Sequence, residues 1–132
     1  METEEYFENY TRFIDSVTAD VSKHDELFLP HFQELSAKLN GNFNRLDNAI
    51  SGLAGESGEV LDVWKKLKYH GLEFDEAKNR FIKELGDVCW YLFQTAYALN
   101  VPVSKIIEAN IKKLKERHAN GFSSEYLTKK GE

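Results

Sequence analysis

At 132 residues, with 30% charged side chains and a formal net charge of -5, the chain has the length of one domain and no overall basic field. Duplex nucleic acid is therefore excluded as an expected partner, and with no apolar run near the roughly 18 residues of a membrane span a soluble, cytoplasmic protein without a membrane partner is expected. The single cysteine, Cys89, excludes an intrachain disulfide framework, fits a reducing compartment and, lying in an apolar run, is expected to be a small core residue.

Apolar residues recur at spacings of three and four with almost no alternation of period two, which predicts an all-α fold. Tyr6, Phe7, Tyr10, Phe13, Ile14 and Val17 form the stripe of a first helix, expected to fray out in Ser22-Lys23-His24-Asp25. A shorter segment around Phe32, Leu35 and Leu39 ends at Asn40-Gly41-Asn42, a helix stop and turn.

The next helix is expected from about Asn44–Asp47 to Lys68, with Ile50, Leu53, Val60, Leu61, Trp64 and Leu67 along it. Gly52, Gly55 and Gly58 interrupt it, each costing about 0.8–1.0 kcal/mol against alanine in a helix interior. A neighbouring helix or a ligand coming close beside Glu56 and Glu59 would offset that cost; loose packing or a kink is the plainer account. Tyr69-His70-Gly71 reads as the stop, followed by the acidic connection Glu73-Phe74-Asp75-Glu76.

From about Glu76 to Leu99 the chain is apolar around most of a helix through Phe81, Ile82, Leu85, Val88, Cys89, Trp90, Leu92, Phe93 and Ala96. Such a helix is expected to be central and covered on most sides. After the break at Asn100-Val-Pro102, Ser104 is expected to help initiate a last helix with Ile106, Ile107, Ile111 and Leu114 as its inner stripe, ended by Asn120-Gly121. The polar tail 123–132, anchored only by Tyr126 and Leu127, is expected to be extended or partly disordered. The whole reads as a single domain with N-terminal helices in 1–40 and a core in 44–122. So few helices beside so apolar a central one predict a core completed by oligomerisation.

The chemistry lies in a repeated acidic spacing. Glu56-Ser-Gly-Glu59 and Glu84-Leu-Gly-Asp87 each put two carboxylates on one helix face, Cβ atoms about 5–6 Å apart. If the two helices pack antiparallel at about 8–10 Å, four carboxylates converge on one volume and repel unless cations occupy it. Mg²⁺ takes such oxygen ligands at about 2.0–2.1 Å and ordinarily keeps waters and substrate phosphates as well; Mn²⁺ is an acceptable substitute. Asn110, Lys113 and Arg117, at i, i+3 and i+7 of the last helix, offer an amide, an ammonium and a guanidinium in a row, a clamp for polyphosphate. Tyr91 follows Asp87 by one turn and is either a nucleotide contact or core packing. Asn48, Trp64 and Lys66 are further candidate neighbours of a nucleotide.

Other site chemistries find no support. His24, His31, His70 and His118 lack a Glu three residues before them, against a di-iron bundle, and they read as surface or turn residues. Zinc groupings, a calcium-binding EF-hand loop, a Gly-rich phosphate loop and a serine-nucleophile signature are all missing.

The runs Leu53-Ala-Gly-Glu56-Ser-Gly-Glu59-Val60, Lys83-Glu84-Leu-Gly-Asp87-Val88 and Asn110-Ile-Lys-Lys113-Leu-Lys-Glu-Arg117, followed by Gly121-Phe122, resemble the MazG-like all-α nucleoside triphosphate pyrophosphohydrolases. The likeness spans about Asn48 to Phe122, with 24 residues between Glu59 and Glu84. The N-terminal forty residues and the tail also resemble compact bacteriophage-encoded members, which would place the chain in a host cytoplasm. The resemblance implies a helical bundle assembled as a homodimer or homotetramer, hydrolysing nucleoside triphosphates between the α and β phosphates to a monophosphate and pyrophosphate. It matches Glu56, Glu59, Glu84 and Asp87 to the Mg²⁺ ligands and Asn110, Lys113 and Arg117 to the phosphate contacts. Two departures stand out: Gly55 replaces the first of the often doubled glutamates, and the common Arg-Tyr-Pro ending is Arg117-His118-Ala119. A noncatalytic helical module using the acids for structural metal or partner binding, and hydrolysis of a guanosine alarmone at the same site, are the alternatives.

Overall fold

The structure is a computed structural model and describes residues 2–122. Among these residues every regular element is helical, as the periodicity predicts. The chain divides into two compact units, Met1–Gly41 and Asn42–Glu132. The expectation for the tail falls outside the described residues.

The first unit holds α1 (Glu2–Val17) and α2 (Asp25–Lys38), joined through a short 3-10 turn, Asp20–Ser22. α1 ends at Val17, where the Thr18 hydroxyl donates to the Ile14 carbonyl. The segment expected to fray is instead a tied turn. Lys23 Nζ donates to the Asp15 carbonyl at 2.9 Å and lies 3.5 and 3.6 Å from the Asp15 and Asp20 carboxylates. α2 carries Pro30 in its second turn and closes with Asn40 at φ 51: the Asn40 amide returns to Ala37 and the Gly41 amide to Ser36, so the last carbonyls are satisfied.

The second unit is built on α3 (Phe43–Tyr69) and α4 (Phe74–Ala98), which form an extensive helix–helix contact. Gly71 at φ 70 lets the chain reverse after α3, a conformation that costs a side chain about 1–2 kcal/mol. The Glu73 carboxylate then caps α4 by accepting from the Glu76 amide. So short a connection makes the helices antiparallel, and their register follows from three rungs. Arg45 at the start of α3 donates to Gln94 at 2.6 Å and lies 4.5 Å from the Tyr97 ring centre near the end of α4. Gly52 lies against Tyr91 in the middle. Beyond the carboxylates, Asp62 feels the charge of Arg80.

Among the described residues only small side chains are buried: Ala49 and Val63 on α3, and Ala77, Ala96 and Ala98 on α4. This corrects the expectation of a covered central helix. Ile82, Leu85, Trp90, Phe93 and Tyr97 of α4 are all at least half exposed, and Cys89 is exposed as well. A two-helix pair buries one stripe of each partner, and the rest of the girth of α4 stays exposed among the described residues.

α5 (Val103–Arg117) begins one residue past Pro102, whose extended backbone takes the cap position. Ser104 is thus already inside the helix and makes no capping bond, contrary to expectation. Of the expected inner stripe only Ile106 is half-buried; Ile107, Ile111 and Leu114 stay exposed because α5 gains no extensive contact with the pair. The helix stops at Arg117, and Gly121 at φ 86 turns the chain after it.

Gly55 and Gly58 have nothing within 4 Å of where a Cβ would stand. Gly55→Ala is accordingly expected to stabilise the fold by about 0.4–1 kcal/mol, read as a rise in urea midpoint at constant slope. A fall in midpoint would mean that something in the protein occupies that space.

Candidate metal centre

The seam between α3 and α4 follows the three-and-four spacing that a coiled helix pair fills with leucine or valine. Here Glu56 of α3 and Glu84 and Asp87 of α4 stand on that seam. One carboxylate oxygen from each lies within 4.8 Å of the others; Glu56 and Glu84 are half-buried and Asp87 is exposed. Glu59, one turn further along α3, is exposed and outside this group, yet its charge reaches Glu56.

Crowding has a measurable signature. The Glu56 carboxyl is held above its ordinary value of 4.5, first by desolvation between the helices, then by the charges of Asp87 and Glu84, a hydrogen bond with Glu84, and Glu59. Because the folded chain holds this proton more tightly than the unfolded one, the stability it contributes is full below 4.5 and is lost as pH rises through the folded value. Metal-free protein should therefore melt higher when acidified from neutrality toward that range. Glu56→Gln should flatten the profile in a chelator; an unchanged slope would show that Glu56 is not the strained group.

The donor set suits a hard divalent cation. At metal–oxygen distances of about 2.0–2.1 Å, oxygens on opposite sides of one ion stand about 4.2 Å apart, so the trio needs only small rotations to share an ion. The residues at either end of the pair are remote from it. Asn48 and Trp64 are each eight residues from Glu56, about 12 Å along the helix, and both are exposed. Lys66 pairs with Asp62 at 2.7 Å, which holds the Asp62 carboxyl below its usual range. Tyr91 packs half-buried on Gly52. On α5, Asn110 and Lys113 are exposed, and no described hydrogen bond or ion pair joins them to the carboxylates; Arg117 is half-buried at the end of the helix. The acidic half of the expected constellation is assembled within the chain, whereas Asn110 and Lys113 are not brought to it, since α5 makes no extensive contact with the pair.

Two features escaped the sequence reading. The specific role of Gly52 was hidden among three glycines, although its place one turn before Glu56 on the seam distinguishes it. The other is a groove of about 650 Å³ lined by Trp90, Phe93 and Tyr97, with Cys89 on its wall and Arg45 and Gln94 at its rim. At about 100° per residue, Phe93 is on the side of α4 opposite Glu84, so the groove and the carboxylates occupy different faces.

The sequence profile of the MazG nucleotide pyrophosphohydrolase domain matches residues 45–122. The chain is also 38% identical over 78 residues to the Gene 37 protein of Mycobacterium phage L5, covering 58% of this chain and 68% of that one. No solved structure matches. The matched segment spans more than half of the chain and contains all of α4 and α5, every seam carboxylate and the groove, and on that ground the chain belongs to the MazG nucleotide pyrophosphohydrolase domain family.

Proposed function

We propose that the protein is a Mg²⁺-dependent nucleoside triphosphate pyrophosphohydrolase that cleaves ribo- or deoxyribonucleoside triphosphates between the α and β phosphates, serving nucleotide-pool control in the cytoplasm of a phage host. The observation that carries it is the convergence of Glu56, Glu84 and Asp87 on one 4.8 Å volume inside the family's domain.

In this reading Glu56, Glu84 and Asp87 hold the divalent ion, with Glu59 adding charge beside them. When bound, the ion supplies charge neutralisation for the phosphate oxygens and makes an adjacent water more acidic. Glu59 lies outside the trio, so its carboxylate is the one left to take the proton from the attacking water. The water oxygen forms the new bond to the α phosphorus, and the α–β anhydride bond breaks with its electron pair leaving on pyrophosphate. Asn110, Lys113 and Arg117 grip the triphosphate, from this chain or from a second copy in a homodimer or homotetramer. Asn48 and Tyr91, on one side of the trio, are the residues we assign to the nucleoside end, with Trp64 and Lys66, on its other side, reaching it from a second copy.

The test is a panel of canonical and modified triphosphates incubated with purified protein, with and without Mg²⁺, and with Mn²⁺ in its place. Monophosphate and pyrophosphate appearing only with metal is the expected result. Orthophosphate as the direct product would mean a different bond, and no turnover of any triphosphate would favour a noncatalytic metal-binding module.

A further inference from the structure

One turn from the carboxylates, the seam holds a close packing contact between the two helices. Tyr91 follows Asp87 by one turn on α4, and Gly52 precedes Glu56 by one turn on α3. A Cβ built on Gly52 would fall onto the Tyr91 ring, 2.6 Å from Cδ1 and nearer still to Cε1 and Cζ. Gly55 and Gly58, on the same helix, have open space in the same position. The ring is rigid, and with Ala49 fully enclosed one turn further along α3 the pair has no slack there. A methyl group at position 52 can be accommodated only if the ring leaves the seam or the helices move apart.

The geometry points to Gly52 as a positioning residue: by leaving room for the Tyr91 ring it sets the separation of α3 and α4 at the level of Glu56, Glu84 and Asp87, and with it the affinity of that trio for a divalent ion. The inference rests on the metal reading given above. Ligand constellations work only when held within about 0.5 Å of their productive geometry. Loss of a supporting group around a metal site costs about 10–100-fold in affinity.

Calorimetric titration of the full chain with Mn²⁺, without nucleotide, tests this on wild type, Gly52→Ala, Gly55→Ala, Tyr91→Leu and the double variant Gly52→Ala/Tyr91→Leu. Circular dichroism reports folding of each. Gly52→Ala is expected to bind about tenfold more weakly, Gly55→Ala like wild type, and the double variant more tightly than Tyr91→Leu alone, because the added methyl refills the space that the ring left. Wild-type affinity in a folded Gly52→Ala, or equal loss in Gly55→Ala, would overturn the inference while leaving the metal site standing. If Gly52→Ala does not fold, the double variant carries the test, and affinity no better than that of Tyr91→Leu overturns it. Absence of Mn²⁺ binding by wild type would instead sink the metal reading itself.

Discussion

Glu84→Gln is expected to lower kcat/KM for triphosphate hydrolysis by about 10²–10³-fold, the scale of losing one preorganised electrostatic group, while the helix pair stays folded. The amide keeps the shape of the side chain and its place on the seam but gives up the negative charge that a cation requires. It also removes one cause of the raised Glu56 carboxyl, so metal-free protein should be no less stable, and its melting temperature is expected to rise slightly. Stabilisation by divalent ion behaves oppositely. Wild type at an ion concentration of about 100 times the dissociation constant gains about 2.7 kcal/mol, and the variant loses most of that gain. Pyrophosphate release combined with melting curves in chelator and in Mg²⁺ separates the two effects. A variant that melts lower in chelator would assign Glu84 to the architecture, and full turnover would remove it from the site.

Trp90→Glu is expected to give a monomer where wild type self-associates. Trp90, Phe93 and Tyr97 are 62%, 59% and 66% exposed on one side of α4. Burying a large apolar side chain is worth about 1.5–3 kcal/mol, and a two-fold interface contains each residue twice. A carboxylate at this position also meets the apolar side chains of Phe93 and Tyr97 that line the same groove. Together these terms weaken self-association by at least about 100-fold. Sedimentation across a concentration series is the measurement. The melting temperature should also lose its concentration dependence in the variant. A wild-type chain that is monomeric at micromolar concentration, or a variant that assembles as before, would show that this face serves something other than a second copy.

Much of the helical pattern was legible in the sequence because its signals are local. Asn40-Gly41 and Gly71 mark chain reversals because only small or amide side chains adopt positive φ cheaply, and the structure uses these residues for that purpose. Ser104 misled because a serine near a helix start resembles a cap, whereas Pro102 already supplies the extended backbone that the cap position requires. Cys89 and the apolar girth of α4 misled for a different reason. Apolarity reports that a surface is to be covered, but says nothing about whether the same chain covers it. Exposed Leu85 and Phe93 are the visible consequence.

The candidate site divides along the same line. The intervals Glu56 to Glu59 and Glu84 to Asp87 put pairs of acids on helix faces whatever the rest of the chain does, since 3.6 residues per turn is a property of the backbone. Whether the faces meet depends on the register of α3 against α4, which the turn at Gly71 and the contacts of Arg45 with Gln94 and of Gly52 with Tyr91 decide. That register places Glu56 opposite Glu84 and Asp87 and leaves Glu59 one turn outside. The sequence by itself thus determined the helices, their reversals and the supply of carboxylates, all set by interactions within a few residues. Only the tertiary structure selected three of the four acids to share one volume, because distances between helices arise from side chains far apart in sequence packing on a common seam.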